Sequence, residues 1–470
     1  MVCFLYFCTT KLKPMNLPET FINRIINIVP QNVDDFFQSL NDVSPTSVRV
    51  NNKTEFIPSD EKVKWCANGY YLPERPLFTA DPFLHAGAYY VQEASSMFLH
   101  QVLLQLVSTD STILDLSAAP GGKSTLISQF VNERGLLVSN EIVRSRAYIL
   151  AENLTKWGND AVIVTNNEPK DFQKVSGFFD VVVVDAPCSG EGMFRKDHDA
   201  VNEWSEQNVM MCAARQKDIL SDVWDALKTD GILIYSTCTY NTEENEENVA
   251  WIESQLGAEF IPLNIDDFPE ITATDKGYRF FPHKTKGEGF FIAALKKTAW
   301  SNEHRAMSHK RKINNDKLPK ELEHLKNWLQ NSEKWKIYQK NNFVSAFDKE
   351  KSEKLDVINN HLRVLHFGIT LAEQKGKDFI PQISLALSKQ IDRNKFQTVD
   401  IDYKTAIAYL KAEAIFLPDA PKGFILLTYK KLPIGWVKNI GNRCNNLYPN
   451  EWRIRMNLPP NPLKGESINW

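Results

Sequence analysis

The fold is decided by residues 180–197, which have the sequence DVVVVDAPCSGEGMFRKD. The four successive valines before Asp185 predict a strand that is buried on both faces. Pro187 prevents regular continuation of that strand, and the two glycines that follow form a loop that a ligand can approach closely. A carboxylate, a rigid turn and the thiol of Cys188 therefore follow the carboxyl end of a strand, where open α/β sheets bind their ligands.

Strands and helices alternate on both sides of this stretch. Strands are predicted at residues 112–116, 136–141, 161–165, 181–185, 231–236 and 289–295. Helices are predicted at 207–228 and from about 243 onward. Such alternation predicts an α/β fold, with a parallel sheet covered by helices on both faces.

The rest of the chain divides around this α/β domain, whose predicted bounds are 101–297. Residues 15–100 are predicted to form a small, mostly helical N-terminal domain, with a strand at 47–51 and a last helix from Tyr89 to about Val107. Residues 1–14 are expected to be an extension that precedes a natural-looking start at Met15. Residues 298–318 are polar and basic and predict a linker. Residues 319–470 form a mixed C-terminal region, with short strands near 424–428 and 434–437.

Composition favours a globular protein of the reduced cytoplasm. The chain is 43% hydrophobic and 24% charged, and it has no apolar run of ~18 residues, so no membrane span is predicted. Its seven cysteines include no CxxC pair. We therefore expect free thiols, a cytoplasmic location and no structural metal site.

The charges are distributed unevenly along the chain. Residues 1–295 carry 24 Lys and Arg against 40 Asp and Glu, a net charge of −16, whereas residues 296–470 carry 31 against 18, a net charge of +13. A basic region behind an acidic body favours contact with a polyanion. The alternative interpretation is a lysine-rich surface that only contacts solvent.

The loop after Asp115 favours an adenosyl cofactor over a nucleoside triphosphate. Gly122-Lys123-Ser124 resembles the end of a phosphate-binding loop, but Ser117 replaces the required first glycine and Pro120 interrupts the loop. Small residues in this loop allow a cofactor to approach the backbone closely. Glu141, after the next strand, can accept hydrogen bonds from both ribose hydroxyls of an adenosyl group. An ordinary tight strand–helix turn is the alternative for this loop.

Two cysteines occupy corresponding positions, Cys188 after the fourth predicted strand and Cys238 after the fifth. Adjacent parallel strands would bring both thiols to the same edge of the sheet, near the cofactor. Buried cysteines are more often inert packing. A loop position beside hydroxyl groups or a carboxylate instead favours an accessible nucleophile.

Three motifs together resemble one family. These are AAPGGK at 118–123, DAPCSGEGMFRKD at 185–197 and STCTY at 236–240. They resemble the RNA cytosine-carbon-5 methyltransferases of the NOL/NOP/Sun family, and the extended second motif resembles the RsmF branch, which methylates 16S ribosomal RNA. The resemblance extends from Met15 to about Met456. It implies a Rossmann-like class I methyltransferase sheet and a C-terminal, PUA-like α+β RNA-binding region that includes Gly435-Trp436 and residues 445–449.

The resemblance also implies roles for individual residues. Cys238 would add to carbon 6 of the cytosine, and Cys188 would promote release of the product. Asp185 would hydrogen-bond the ring nitrogen and amino group of the base, and Lys123 would lie near both cofactor and base. Contacts with S-adenosylmethionine are implied for Ser117, Ala118, Ala119, Pro120, Gly121, Gly122, Lys123, Glu141 and Asp185.

The stretch after the third strand departs from the family pattern, which often has an Asp there to contact the adenine. Here either Asn167 or Glu168 is predicted to take that position. Arg195 and Lys196, which follow the thiol loop, are predicted to hold RNA phosphate, with surface salt bridges as the alternative. Flipping the target cytosine out of a stem would cost roughly a few kcal/mol.

Three rival functions remain beside methylation of small-subunit ribosomal RNA. The first is methylation of cytosine in transfer RNA, which the sequence distinguishes from methylation of ribosomal RNA only through its resemblance to the RsmF branch. A non-catalytic RNA-binding assembly factor would need neither cysteine nor Asp185. An NTPase would be stabilised by a nucleoside triphosphate rather than by S-adenosylmethionine.

Overall fold

The computed structural model describes residues 16–55, 57–197, 199–298 and 320–455. The predicted extension at 1–14 and all of the predicted linker except Thr298 lie outside the described residues. Within these ranges no helix combines the length and the apolar character that crossing a membrane requires.

The N-terminal region consists of three helices and a small antiparallel sheet. The helices are α1 (Glu19–Ile28), α2 (Val33–Ser39) and α3 (Pro82–His85), and the strands are β1 (Thr46–Val50), β2 (Gly69–Leu72) and β3 (Tyr89–Val91). The sheet order is β2-β1-β3. The strand predicted at 47–51 is confirmed, and β2 and β3 are two further strands that were not predicted.

The helix predicted from Tyr89 begins later in the chain. Residues 89–91 form β3, in which Val91 pairs with Val48 of β1. Two tyrosines and a valine favour a pleated surface once a partner strand is present. The helix itself is a 3₁₀ turn at Ser95–Phe98 followed by α4 (Leu99–Leu106).

Five parallel strands form the centre of a larger sheet. They are β4 (Thr112–Asp115), β5 (Leu136–Asn140), β6 (Val162–Thr165), β7 (Phe179–Asp185) and β8 (Leu227–Thr237). Their spatial order is β8-β7-β4-β5-β6. The connecting helices are α5 (Gly122–Phe130), α6 (Arg144–Trp157), α7 (Asp199–Glu203), α8 (Glu206–Val223) and α9 (Glu246–Trp251). The alternation that the sequence predicts is therefore present.

The complete sheet has ten strands and is mixed rather than parallel. The additional strands on the β8 side are β9 (Ala258–Phe260), β10 (Thr272–Ala273), β11 (Tyr278–Phe280) and β12 (Phe290–Lys297). The last predicted strand, β12, runs antiparallel to β8, because the chain passes through β9, β10 and β11 and enters β12 from the opposite end. Antiparallel neighbours need no crossover helix.

The C-terminal region adds an edge strand to this sheet and forms two sheets of its own. β13 (Trp335–Lys340), β14 (Phe343–Asp348), β16 (Ile369–Lys375) and β17 (Asp378–Pro381) make one, and β18 (Gln397–Asp400), β19 (Gly423–Tyr429), β20 (Leu432–Asn439) and β21 (Cys444–Asn446) make the other. β15 (Val364–Phe367) instead pairs with β6. The helices are α10 (Lys320–Glu323), α11 (Ser352–His361), α12 (Ile383–Leu387) and α13 (Tyr403–Leu410). β19 and β20 confirm the strands predicted near 424–428 and 434–437.

The N-terminal and C-terminal regions share one hydrophobic core. Val48 and Tyr70 of the N-terminal sheet are buried in the same cluster as Tyr409 and Ile425 of the C-terminal region. Burial of shared apolar surface is the main source of stability in such a junction. The two terminal regions are therefore packed together beside the central sheet.

Candidate active site

The predicted cofactor loop follows β4 and leads directly into α5. Asp115 ends the strand, is fully buried and accepts a 2.6 Å hydrogen bond from Ser124 Oγ. Its other oxygen, Oδ1, is buried without a hydrogen-bond partner among the described residues. Burial raises the pKa of this carboxyl to about 7. Gly121 has a φ of +119°, in the region that favours glycine, and this conformation turns the chain into the helix.

Glu141 lies across the loop, at the end of β5, and is buried. One carboxylate oxygen accepts a 2.9 Å bond from the backbone N–H of Val143, and the other lies 3.7 Å from the Arg146 guanidinium. Arg146 also donates to the carbonyl of Ala119 at 2.9 Å. The arrangement fits an adenosyl ligand, because an unpaired buried acceptor, a glycine turn and a second carboxylate converge there. Arg146 was missed by the sequence reasoning.

The two candidates for the adenine contact have other partners. Asn167 accepts a 3.0 Å bond from the backbone N–H of Arg363, and its amide donates to Asp171 at 3.3 Å. Glu168 caps the 3₁₀ helix Pro169–Val175 and pairs with Lys170 at 2.5 Å. A contact of either residue with adenine stays a prediction.

The structure brings Lys123 and Asp185 together at the carboxyl edge of the sheet. Lys123 Nζ lies 2.8 Å from Asp185 Oδ2, and Ser236 Oγ donates to Asp185 Oδ1 at 2.8 Å. Burial alone would lower the pKa of Lys123, but the carboxylates of Asp185 and Asp115 outweigh it and raise that pKa. The lysine therefore stays charged, with its ammonium 5.2 Å from the centre of the Phe290 ring.

The two predicted thiols lie in direct contact. Strands β7 and β8 are neighbours, and Cys188 Sγ lies 2.9 Å from Cys238 Sγ on the loops that follow them. The hydrogen bond to Cys238, together with burial, raises the pKa of Cys188 well above its ordinary value. Cys188 therefore keeps its proton, and its sulfur also accepts a 3.3 Å hydrogen bond from the backbone N–H of Cys238.

A buried carboxylate that the sequence reasoning missed joins the two thiol loops. Glu191 is 1% exposed and lies between the two glycines of the Cys188 loop. It accepts hydrogen bonds of 2.7 to 2.9 Å from Thr239 Oγ1, the backbone N–H groups of Tyr240 and Asn241, and Trp204 Nε1. Its place in a glycine-flanked turn beside a thiol was the available signal, because an acidic residue in such a turn can accept several backbone donors.

A second buried carboxylate, Glu244, supports the same pair of loops. It accepts bonds from the backbone N–H of Ser189 at 3.0 Å, from Gln216 Nε2 at 2.7 Å and from Asn241 Nδ2 at 2.7 Å. Burial raises the pKa of this carboxyl. Glu244 falls in the acidic stretch that was predicted to be helical from about 243, whereas α9 begins at Glu246.

The prediction that Arg195 holds RNA phosphate is wrong. Its guanidinium pairs with Glu288 at 3.0 Å, and the two side chains are only 5% and 4% exposed. Arg195 also donates to the backbone carbonyl of Gly287. The charge of Arg195 is therefore neutralised by an internal ion pair. Its neighbour Lys196 is exposed and remains available for a phosphate.

The N-terminal sheet braces the start of α5 through Arg49. This residue is 1% exposed and has no ion-pair partner among the described residues. It donates to Gln92 and Gln129 at 2.9 Å each and to the Gly122 carbonyl at 3.2 Å. Burial lowers its pKa to about 10. The cofactor loop thus depends on a strand that precedes it by about seventy residues.

Three family models match successive parts of the chain. The N-terminal domain of 16S rRNA methyltransferase RsmF matches residues 17–94. The 16S rRNA methyltransferase RsmB/F model matches residues 101–296. The methyltransferase RsmF PUA domain matches residues 396–454.

Full-length relatives and solved structures agree with these matches. Ribosomal RNA small subunit methyltransferase F of Citrobacter koseri is 31% identical over 92% of this chain and 96% of its own length, and that of Escherichia coli is 30% identical over 92% and 96%. A methyltransferase homolog from Pyrococcus horikoshii is 24% identical, with a TM-score of 0.52 over 60% of this chain and 96% of its own. NSun6 from the same organism, solved with SFG, is 19% identical, with a TM-score of 0.52 over 61% and 100%. The two structures support the predicted fold class.

Proposed function

The chain belongs to the family of ribosomal RNA small subunit methyltransferase F, and on that premise we propose that it methylates carbon 5 of a cytosine in 16S ribosomal RNA. The observation that carries the proposal is the 2.9 Å contact between the sulfurs of Cys188 and Cys238. The thiols lie at the carboxyl edge of the parallel strands, where open α/β sheets bind ligands. A pure RNA-binding scaffold would need neither thiol.

The methyl donor in this proposal is S-adenosylmethionine, which supplies an electrophilic methyl group on its sulfonium. The loop at residues 117–123 would hold it through close backbone approach, and Glu141 would accept its ribose hydroxyls. The unpaired, buried Oδ1 of Asp115 leaves an acceptor for a donor group of the ligand. A buried acceptor without a hydrogen-bond partner costs free energy, so a ligand that donates a hydrogen bond to it gains affinity.

Asp185 and Lys123 are proposed to hold and polarise the cytosine. Asp185 would accept hydrogen bonds from the exocyclic amino group and from the ring nitrogen in its protonated form, and the proton held on that nitrogen lowers the electron density at carbon 6. Ser236 and Lys123 fix the orientation of that carboxylate through their 2.8 Å contacts. Residues held in this way before the substrate arrives avoid reorganisation during the reaction.

Cys238 is the proposed nucleophile. Its sulfur forms a bond to carbon 6, which makes carbon 5 electron-rich enough to take the methyl group. Release then requires the proton on carbon 5 to leave to a base and the carbon–sulfur bond to break, with its electron pair returning to Cys238. We assign promotion of this elimination to Cys188, because its sulfur adjoins that of Cys238.

The proposed organisation places the N-terminal domain at residues 15–100 and the catalytic domain at 101–297. The C-terminal region, from about residue 319, is proposed to recruit the RNA. The net positive charge of the C-terminal region supports contacts with the phosphate backbone of the RNA, and the affinity of such contacts should fall steeply as the salt concentration rises. The five cysteines of the described residues are free, which supports action in the reducing cytoplasm.

The proposal is tested by methyl transfer to 16S ribosomal RNA from cells that lack the modification. We expect the wild type to form 5-methylcytosine from labelled S-adenosylmethionine, and Cys238→Ala to form none while it still binds the donor. Cys212→Ala is the matched control, because Cys212 lies on α8 and contacts neither thiol loop sulfur within hydrogen-bond distance. Methyl transfer by Cys238→Ala at the wild-type rate would contradict the proposal.

A further inference from the structure

A cavity of about 510 Å³ lies between the N-terminal and C-terminal regions. The N-terminal wall is formed by Asn52, Lys53 and Ala86, and the C-terminal wall includes residues 386–389, 391–394 and 432–433. One residue of the C-terminal wall also contacts the central domain, since the backbone N–H of Lys389 donates to the carbonyl of Gly158, at the end of α6, at 3.1 Å. The cavity therefore lies between the N-terminal and C-terminal regions, and none of the thiol-site residues lines it.

Three cations line this cavity, Lys53, Lys389 and Arg393. None of them forms an ion pair within the part of the chain that the structure describes. Their partners are neutral: Lys53 Nζ donates to the carbonyls of Lys156 at 2.6 Å and Leu387 at 3.4 Å, and Lys389 donates to the side chain of Asn52. Arg393 donates to the Lys431 carbonyl at 3.1 Å.

The acidic groups near the cavity accept hydrogen bonds from neutral donors. Asp392 is the lining carboxylate, and its Oδ1 accepts a 3.1 Å bond from the backbone N–H of Asn394. Asp160, which lies close enough to act on Lys389, accepts a 3.2 Å bond from Gln390. Burial and the charges of Lys389 and Arg393 hold the pKa of Lys53 well below its ordinary value. The cations that line the cavity thus outnumber Asp392, the one lining carboxylate, and none of them forms an ion pair with a described residue.

We propose that this cavity holds a phosphate group of the RNA backbone. Two of the cations, Lys389 and Arg393, can donate several hydrogen bonds to phosphate oxygens, and an anion between them would remove their repulsion. Gly158 and Asp160 precede β6, so the cavity lies toward the amino ends of the parallel strands, at the edge opposite the thiols. The site therefore binds RNA that flanks the target cytosine. This inference rests on the proposed function, in which the C-terminal region recruits the RNA.

The test measures binding of the full-length protein to a long single-stranded RNA at a series of salt concentrations. The variant is Lys389→Gln with Arg393→Gln, and the matched control is Lys404→Gln with Lys422→Gln, which removes two exposed charges of the same region outside the cavity. We expect the slope of log affinity against log salt to shrink by about 0.7 in the variant, since each phosphate neutralised on a single strand contributes about 0.7 to that slope. The control should change the slope by less than half as much.

Inorganic phosphate separates the RNA backbone from a free anion. Melting temperatures are compared in phosphate and in chloride of equal ionic strength. Loss of both the phosphate effect and the salt slope in the cavity variant supports the proposal. An unchanged RNA slope overturns it, including the case in which only the effect of inorganic phosphate is lost. Folding of the variant is confirmed by its melting temperature in chloride, which should equal or exceed that of the wild type because repulsion is relieved.

The cavity and the catalytic proposal fail separately. If the wild type forms 5-methylcytosine but the variant keeps the full RNA slope, the cavity assignment is overturned and the methylation proposal stands. If the variant loses the slope while the wild type forms no 5-methylcytosine, the cavity assignment stands and the methylation proposal is overturned.

Discussion

The carboxylate of Glu191 accepts a 2.8 Å hydrogen bond from the backbone N–H of Tyr240. This bond joins the loop after Cys188 to the loop after Cys238. Because the same carboxylate also serves Thr239 and Asn241, one buried side chain fixes the register of both loops. The contact between the two sulfurs therefore depends on a residue that reaches neither of them.

Glu191→Gln should loosen this arrangement. The amide offers a single acceptor oxygen to four donors, and its own N–H groups would face other donors, so we expect the free energy of unfolding to fall by about 1 to 3 kcal/mol. Methyl transfer should fall more than donor binding does. Glu203→Gln, an exposed change on α7, is the control and should alter neither quantity. Wild-type methyl transfer by Glu191→Gln would show that the loops hold their register without this carboxylate.

Lys123→Met should separate base activation from donor binding. Asp185 would lose its 2.8 Å partner and be free to turn away from the base. We expect methyl transfer to fall roughly 10²-fold, the usual cost of one preorganised polar contact. Lys123→Arg, which keeps the charge, should retain more activity than Lys123→Met. Equal activity of the two variants would argue against a role for the ion pair.

Asp115 should make stability depend on pH. Burial raises its pKa to about 7, above an unfolded value of about 3.9, so the folded state binds more protons between these values. Stability therefore falls as pH rises from about 4 to about 7. Asp115→Asn should remove this dependence and, at pH 8 without ligand, increase the free energy of unfolding by roughly 2 to 4 kcal/mol.

Denaturant unfolding of Asp115→Asn across that pH range, beside the exposed change Asp267→Asn, measures this effect. The same variant should bind S-adenosylmethionine more weakly, because its amide is a poorer acceptor at Oδ1. A pH profile identical to that of the wild type would mean that another group carries the dependence.

Arg195→Met should act on stability rather than directly on RNA. It leaves Glu288 buried and unpaired, and breaking a buried pair in this way typically costs about 3 to 5 kcal/mol. The exposed neighbour supplies the comparison, since Lys196→Met should leave stability within about 0.5 kcal/mol and weaken RNA binding. A stable Arg195→Met protein with weakened RNA binding would restore the phosphate role that the structure argues against.

The sequence was most informative where function and local structure share a signal. Asp115 and Asp185 lie at the ends of predicted strands, and Cys188 and Cys238 follow predicted strands. The carboxyl ends of parallel strands meet at one edge of the sheet, so the proximity of these residues could be predicted. The partners that hold them could not. Glu288 pairs with Arg195 from 93 residues away, and a basic residue after a thiol loop gives no sign of such a partner.

Elements that depend on distant pairing were also missed. Tyr89–Val91 is a strand because β1 lies beside it, and β12 is antiparallel because β10 and β11 reverse the chain before it. β15 joins the central sheet from residues 364–367, about two hundred residues beyond β6. The local spacing of hydrophobic residues does not indicate which distant strands pair. The mixed character of the sheet could therefore be seen only in the structure.

The central claim is that Cys238 attacks and Cys188 releases, and covalent trapping tests it most directly. Cys188→Ala, purified from cells and run on a denaturing gel, should carry covalently bound RNA, which nuclease should remove. Cys238→Ala and the double variant should carry none. Trapped RNA in Cys188→Ala alone would support the assigned roles, and its sequence would identify the target. Absence of trapped RNA in Cys188→Ala, or its presence in Cys238→Ala, would contradict them.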